Sequence, residues 1–140
     1  MDTKFITLNN GVKIPTLGLG VYKIPRGMET ELAVTSALEA GYRLIDTASF
    51  YGNEADVGRA IRKSGVRRED IFVTTKLHPL NFLDVEGAFH GSLQSLGLEY
   101  VDLYLIHMPF LQKKKVWKTF EKIYRSGHAK TIGVSNFRIK

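Results

Sequence analysis

The chain of 140 residues contains no cysteine. That excludes disulfides, cysteine-ligated zinc and thiol redox chemistry, and it suits a reducing compartment. Long apolar runs are also missing. No stretch approaches the roughly 18 uninterrupted apolar residues of a membrane span, and the most apolar segment, residues 101–110, carries Asp102 and His107. The opening Met1-Asp2-Thr3-Lys4 lacks the basic start and apolar stretch of a secretory signal. A cytoplasmic location is the expectation. Acidic residues all but vanish near the end: residues 111–140 hold nine Lys/Arg against the single acid Glu121, a net of +8. Residues 1–110 hold 11 Lys/Arg against 13 Asp/Glu, a net of −2. The formal charge of +6 is therefore a C-terminal feature.

Hydrophobic residues make up 44% and charged residues 24%, which fits a globular protein and not a disordered, collagenous or disulfide-stapled chain. The length corresponds to about one domain, residues 1–140. Glycine supplies the punctuation. Helical patterns over 28–40, 53–64, 84–96 and 116–126 each stop at a glycine suited to a helix C-terminus: Gly41, Gly65, Gly97 and Gly127. Each is followed by a short β-rich run, at 43–46, 71–75, 101–106 and 131–134, and a further run at 17–21 precedes the first helix. These runs are mostly apolar, as parallel strands covered on both faces are. Two runs flanking Asn9-Asn10-Gly11, at 5–8 and 12–14, predict a β-hairpin. The pattern is a hairpin followed by five strands alternating with four helices.

Four polar residues stand at the ends of successive strands: Asp46, Lys76, His107 and Ser135, separated by 30, 31 and 28 residues. One strand-plus-helix unit has that length. In a parallel sheet these side chains gather on one rim, the rim at which α/β folds hold ligands. Each residue also has an ordinary structural explanation. Asp46 suits a turn or helix cap, and Lys76 suits a snorkelling lysine. His107 suits a hydrogen-bonded core position, and Tyr51, five residues past Asp46, suits packing. Together they supply what carbonyl reduction needs. A phenol with an ordinary pKa of about 10 is a poor acid at neutral pH. An adjacent ammonium favours its ionised form, and a carboxylate can hold the ammonium in place. A neutral histidine can orient a carbonyl. Hydride must come from elsewhere, since no side chain provides one, and a nicotinamide cofactor is the natural source.

The segments carrying these residues resemble the aldo-keto reductases. They are Leu44-Ile45-Asp46-Thr47-Ala48 with Tyr51-Gly52-Asn53-Glu54, then Thr75-Lys76, Leu105-Ile106-His107-Met108-Pro109 and Ile132-Gly133-Val134-Ser135-Asn136-Phe137. The opening 8–15 with Leu17-Gly18-Leu19-Gly20 is similar to that family's N-terminal hairpin and first strand. The resemblance implies an α/β fold of the (β/α)8 TIM-barrel type that reduces aldehydes and ketones with NADPH and without metal. It also implies Tyr51 as proton donor, tuned by Lys76 and Asp46, with His107 orienting the substrate. Ser135 and Asn136 correspond to the pair that binds the nicotinamide carboxamide. Asp46 lies near the ribose, and Val21 and Tyr22 lie on the approach to cofactor and substrate. His78 and Met108 stand where the family often has tryptophan, so both are expected to reshape the substrate pocket.

A full barrel has eight strand-helix units, typically about 250 residues. This chain holds five strands and four helices of it, a partial barrel. An inactive half-barrel that self-associates or pairs with another fragment through open sheet edges is the competing expectation. The C-terminal basic cluster, Lys113-Lys114-Lys115, Lys118, Lys122, Arg125 and Lys130, has no nucleic-acid-binding motif beside it. It reads as the solvated face of a loop and helix, with no nucleic-acid or membrane partner.

Overall fold

The computed structural model describes residues 3–110 and 112–139. Met1 and Asp2, at the start of the opening segment, lie outside that range. Strands β1 (Phe5–Thr7) and β2 (Lys13–Pro15) pair antiparallel, with Ile6 opposite Ile14. The predicted turn joins them, and Gly11 takes the left-handed φ of +86° that the turn requires. The hairpin is tied to the main sheet by Asn10, whose amide donates to the Lys130 carbonyl at 3.0 Å and the Thr131 hydroxyl at 3.2 Å.

Five parallel strands follow: β3 (Leu19–Gly20), β4 (Leu44–Asp46), β5 (Phe72–Leu77), β6 (Leu103–Ile106) and β7 (Ile132–Val134). They lie side by side in chain order. Between them run α1 (Met28–Glu39), α2 (Glu54–Lys63), α3 (Val85–Leu96) and α4 (Lys113–Ser126). Consecutive helices pack on one another, so they form one layer. A doubly wound sheet reverses its strand order at a switch point; this one does not, and it winds as a (β/α) barrel does. Each helix ends at or just before Gly41, Gly65, Gly97 or Gly127, all with positive φ.

Burial alternates along β4 and β6. Ile45, Tyr104 and Ile106 are buried under the helices, while Leu44, Asp46, Leu103 and Leu105 are partly open. The inner face of the sheet is thus incompletely covered among the described residues, where continuous burial was expected. Among the described strands only β5 is buried throughout. It also extends to Leu77, because Lys76 and Leu77 remain in register with Leu105 and Ile106. Helix α4 begins three residues before the first apolar residue of its pattern, Val116, which donates its N–H to the Gln112 carbonyl. Lysine favours helix well enough to extend it over Lys113–Lys115.

Tyr104 anchors the helix-side core, stacked on Phe120 with ring centroids 4.6 Å apart and against Phe89 at 4.7 Å. At the far end of β5 and β6, the Asp102 carboxylate accepts from the Val73 N–H at 2.9 Å and from Arg68 at 2.8 Å. This closes the rim opposite the candidate site with a fixed charge pair.

Gly58 sets the spacing between α2 and α3. A Cβ there would fall on the Leu96 carbonyl, the backbone oxygen that also accepts from Arg62 at 2.5 Å. Helix propensity alone favours alanine over glycine by about 1 kcal/mol. Contact geometry dominates instead, and Gly58→Ala is expected to destabilise by about 1–3 kcal/mol through overpacking. Urea unfolding of the two chains checks the sign.

Candidate active site

Lys76 is the centre of the site. It lies within β5 and is only 6% exposed. An ammonium has three N–H donors and no acceptor, and here each donor has a partner. One goes to the Asp46 carboxylate at the end of β4, one to the Thr47 carbonyl at 3.0 Å, and one to the Tyr51 hydroxyl oxygen at 3.3 Å. Thr47 itself is held by donating its N–H to the Thr74 carbonyl at 2.9 Å. Because Lys76 can only donate, the Tyr51 oxygen accepts from it. The phenol hydrogen is thereby left for another acceptor.

Tyr51 sits at the end of a 3-10 turn, Ser49–Tyr51, stopped by Gly52 at a φ of +70°. This turn returns the ring over the sheet rim. His107 follows β6 and is buried, with its ring edge-on to Tyr51 at 5.7 Å. Burial pushes the imidazole pKa down, the Lys76 ammonium lowers it further, Asp46 partly opposes this, and His78 adds a small lowering contribution. His107 is therefore neutral at pH 7. Its Nδ1 is buried without a hydrogen-bond partner among the described residues. Asp46, Tyr51, Lys76 and His107 are thus brought together.

Ser135 and Asn136 follow β7 on the neighbouring part of the rim. The Ser135 N–H donates to the Ile106 carbonyl at 2.8 Å. The Asn136 amide donates to the His107 carbonyl at 2.8 Å and to the Ser135 hydroxyl at 3.2 Å. A hydroxyl beside a carboxamide is the donor and acceptor set that pairs with another carboxamide, so these residues fit the nicotinamide end of a dinucleotide. Val21 and Tyr22 divide differently. The Val21 side chain is fully buried in the core, whereas the Tyr22 ring is open to solvent, 5.0 Å from Tyr51. His78 is half-buried, accepts the Leu80 N–H on its Nδ1 at 3.1 Å, and lies 5.3 Å from Phe50. Met108 is exposed.

Several residues at the rim were not evident from sequence. Phe50 is exposed between the rings of His78 and His107. Glu54 is buried at the start of α2 and accepts from the Thr75 hydroxyl at 2.5 Å, binding the Tyr51 turn to β5. Burial pushes its carboxyl pKa up, opposed by hydrogen bonds from Thr75 and Ser92. Thr47 and Asn53 are both fully buried. The available signal for Asn53 and Glu54 was a polar pair at a helix start, which ordinarily means capping.

The depressed His107 pKa has a defined effect on stability. As pH falls through about 6.5, the unfolded imidazole binds a proton before the folded one does. This group's contribution to stability therefore decreases as pH drops below that value and levels off once the folded imidazole titrates. His107→Gln should remove that part of the slope. Urea unfolding of both chains between pH 8 and pH 5 measures the difference.

Comparison with known proteins identifies the family. The profile of the aldo/keto reductase family matches residues 16–140. The chain is 51% identical over 137 residues to 9,11-endoperoxide prostaglandin H2 reductase of Trypanosoma cruzi, covering 94% of this chain and 48% of that one. An aldo/keto reductase structure from Brucella melitensis superimposes with a TM-score of 0.92 at 49% identity, covering 97% of this chain and 55% of that one. A Bombyx mori aldo-keto reductase in complex with NADP gives a TM-score of 0.88 at 39% identity, covering 98% and 52%. The chain thus spans about half the length of the relatives it matches. With the profile matching most of the sequence, the chain belongs to the aldo/keto reductase family.

Proposed function

We propose that this chain carries the proton-transfer half of an NADPH-dependent reductase of aldehydes and ketones, with Tyr51 as the proton donor. The observation that carries this reading is the direction of the Lys76–Tyr51 hydrogen bond. Lys76 donates to the Tyr51 oxygen, and its remaining N–H groups are committed to Asp46 and Thr47. The phenol hydrogen is free to pass to a substrate oxygen, while the Lys76 ammonium stays hydrogen-bonded to the oxygen left behind. The neutral imidazole of His107, edge-on to Tyr51, serves to orient the carbonyl beside the acid. His78 and Met108, with Phe50, form the wall that a carbonyl substrate meets.

The nicotinamide, when bound, supplies the hydride that no side chain can. Ser135 and Asn136 would hold its carboxamide, with Asp46 toward the ribose and Tyr22 along the approach; Val21, expected beside Tyr22, is buried in the core and does not face it. The choice of NADPH draws support from the Bombyx mori relative's complex with NADP. Among the described residues no helix is long and apolar enough to cross a membrane, and a small soluble carbonyl compound in the cytoplasm is the substrate class in this reading. The basic cluster is largely an exposed face of α4, with Lys122 paired to Glu86 at 2.7 Å.

A second reading rests on the sheet edges. Strands β3 and β7 each have one strand neighbour among the described residues. Unpaired edges of this kind favour self-association. One experiment serves both readings: NADPH consumption with a small aldehyde, with the same sample sized by light scattering. Tyr51→Phe is expected to lower turnover by about 10²–10⁴-fold, the usual worth of a positioned general acid. Full-strength turnover in Tyr51→Phe overturns the assignment of Tyr51. A monomer at all concentrations overturns association through the edges.

A further inference from the structure

The rim residues sit on loops, and a proton relay built on loops needs something to hold those loops in register. Asn53 has that position. Its side chain is fully buried although it stands at the start of α2, and it makes no capping hydrogen bond to its own helix. It reaches outward instead. Its amide nitrogen donates to the Val21 carbonyl at 3.0 Å and to the Ile24 carbonyl at 3.4 Å. Its amide oxygen accepts from the Thr47 hydroxyl at 2.9 Å. Two carbonyls can only accept, so they fix which way the amide faces.

These partners belong to two different segments. Val21 and Ile24 lie on the loop after β3, which presents Tyr22 against Tyr51. Thr47 lies on the loop after β4 and holds the Lys76 ammonium through its carbonyl. Asn53 itself follows Tyr51 by two residues, across the left-handed Gly52. One amide thus bonds to the loop carrying Tyr22 and to the segment gripping Lys76, from a backbone position just past the turn carrying Tyr51. We propose that Asn53, acting through Thr47, is a positioning residue that keys the Tyr22 loop and the Lys76–Tyr51 pair to one another. A helix cap uses one acceptor and stays local; this side chain makes three bonds, all outside its own helix. Breaking one of them strands a buried polar atom, so the arrangement is held as a unit.

The inference rests on the proposed role of Tyr51, and its test separates the two. Thr47→Val keeps the shape of the side chain and removes its donor, whereas Thr47→Ser keeps the donor. In tyrosine-labelled protein, the nuclear Overhauser contact between the Tyr22 and Tyr51 rings reports their register without reference to activity. It is expected to be present in the parent chain, lost in Thr47→Val and Asn53→Ala, and retained in Thr47→Ser. In the reductase assay, Thr47→Val should lower kcat by up to about a hundredfold, the size of effect a misplacement of about 1 Å can have. KM for the carbonyl should change little, and Thr47→Ser should restore kcat. Thr47→Val carries the test if Asn53→Ala does not fold. An intact ring contact in folded Thr47→Val overturns the positioning role whatever the activity shows. Full activity of Tyr51→Phe overturns the relay while leaving the ring-contact result to stand by itself.

Discussion

A charged ammonium inside a sheet is expensive, and the rim of this sheet is organised around that cost. Taking a charge out of water costs several kcal/mol unless partners replace the lost hydration. Lys76 meets the requirement with all three donors satisfied, by a carboxylate, a backbone carbonyl and a phenol oxygen. Those acceptors come from the end of β4 and the turn beyond it, so β4, β5 and the Tyr51 turn must be in correct register for the lysine to be tolerated at all. The interaction that stabilises the rim is thus the one that orients the phenol. Folding and proposed chemistry depend on the same three hydrogen bonds.

The rest of the fold supports this arrangement from the helix side and from the far end of the strands. The parallel register Asp46–Thr74 and Lys76–Leu105 places the carboxylate and the ammonium on the same sheet face. Helices cover the other face around Tyr104, Phe89 and Phe120. At the opposite end of the strands, Asp102 and Arg68 fix the start of β6 against β5. Gly58 allows the close approach of α2 to α3, and Glu54 at the start of α2 accepts from Thr75, which ties the Tyr51 turn down from the helix side. His107, made neutral by burial and by the same ammonium, completes the set.

Much of this was legible in the sequence, for a physical reason. Glycine at a helix C-terminus is a backbone requirement, so Gly41, Gly65, Gly97 and Gly127 mark four helix ends that the structure reproduces. The spacing of Asp46, Lys76, His107 and Ser135 is the length of the repeating unit, so these residues came to one rim. Other features were hidden because they depend on side-chain direction. Asn53 stands where a capping residue belongs and turns away from its helix. Thr47 is indistinguishable from an ordinary strand-end threonine until its hydroxyl and carbonyl are seen to face different partners. Val21 lies on the expected loop, yet its side chain is in the core, since a residue's address does not fix which way it points. The partly open inner faces of β4 and β6 also lay beyond an apolar pattern, which records what a strand can bury and not what covers it.

The central claim, that a buried ammonium governs this site, is tested most directly by a stability cycle on Lys76 and Asp46. Urea unfolding would be measured for the parent chain, Asp46→Asn, Lys76→Met and the double variant. If the lysine is held against its desolvation cost, Asp46→Asn is strongly destabilising, and adding Lys76→Met recovers much of the loss because no uncompensated charge remains. Losses that simply add would mean that the two groups ignore one another, and would contradict a site governed by the Lys76 ammonium.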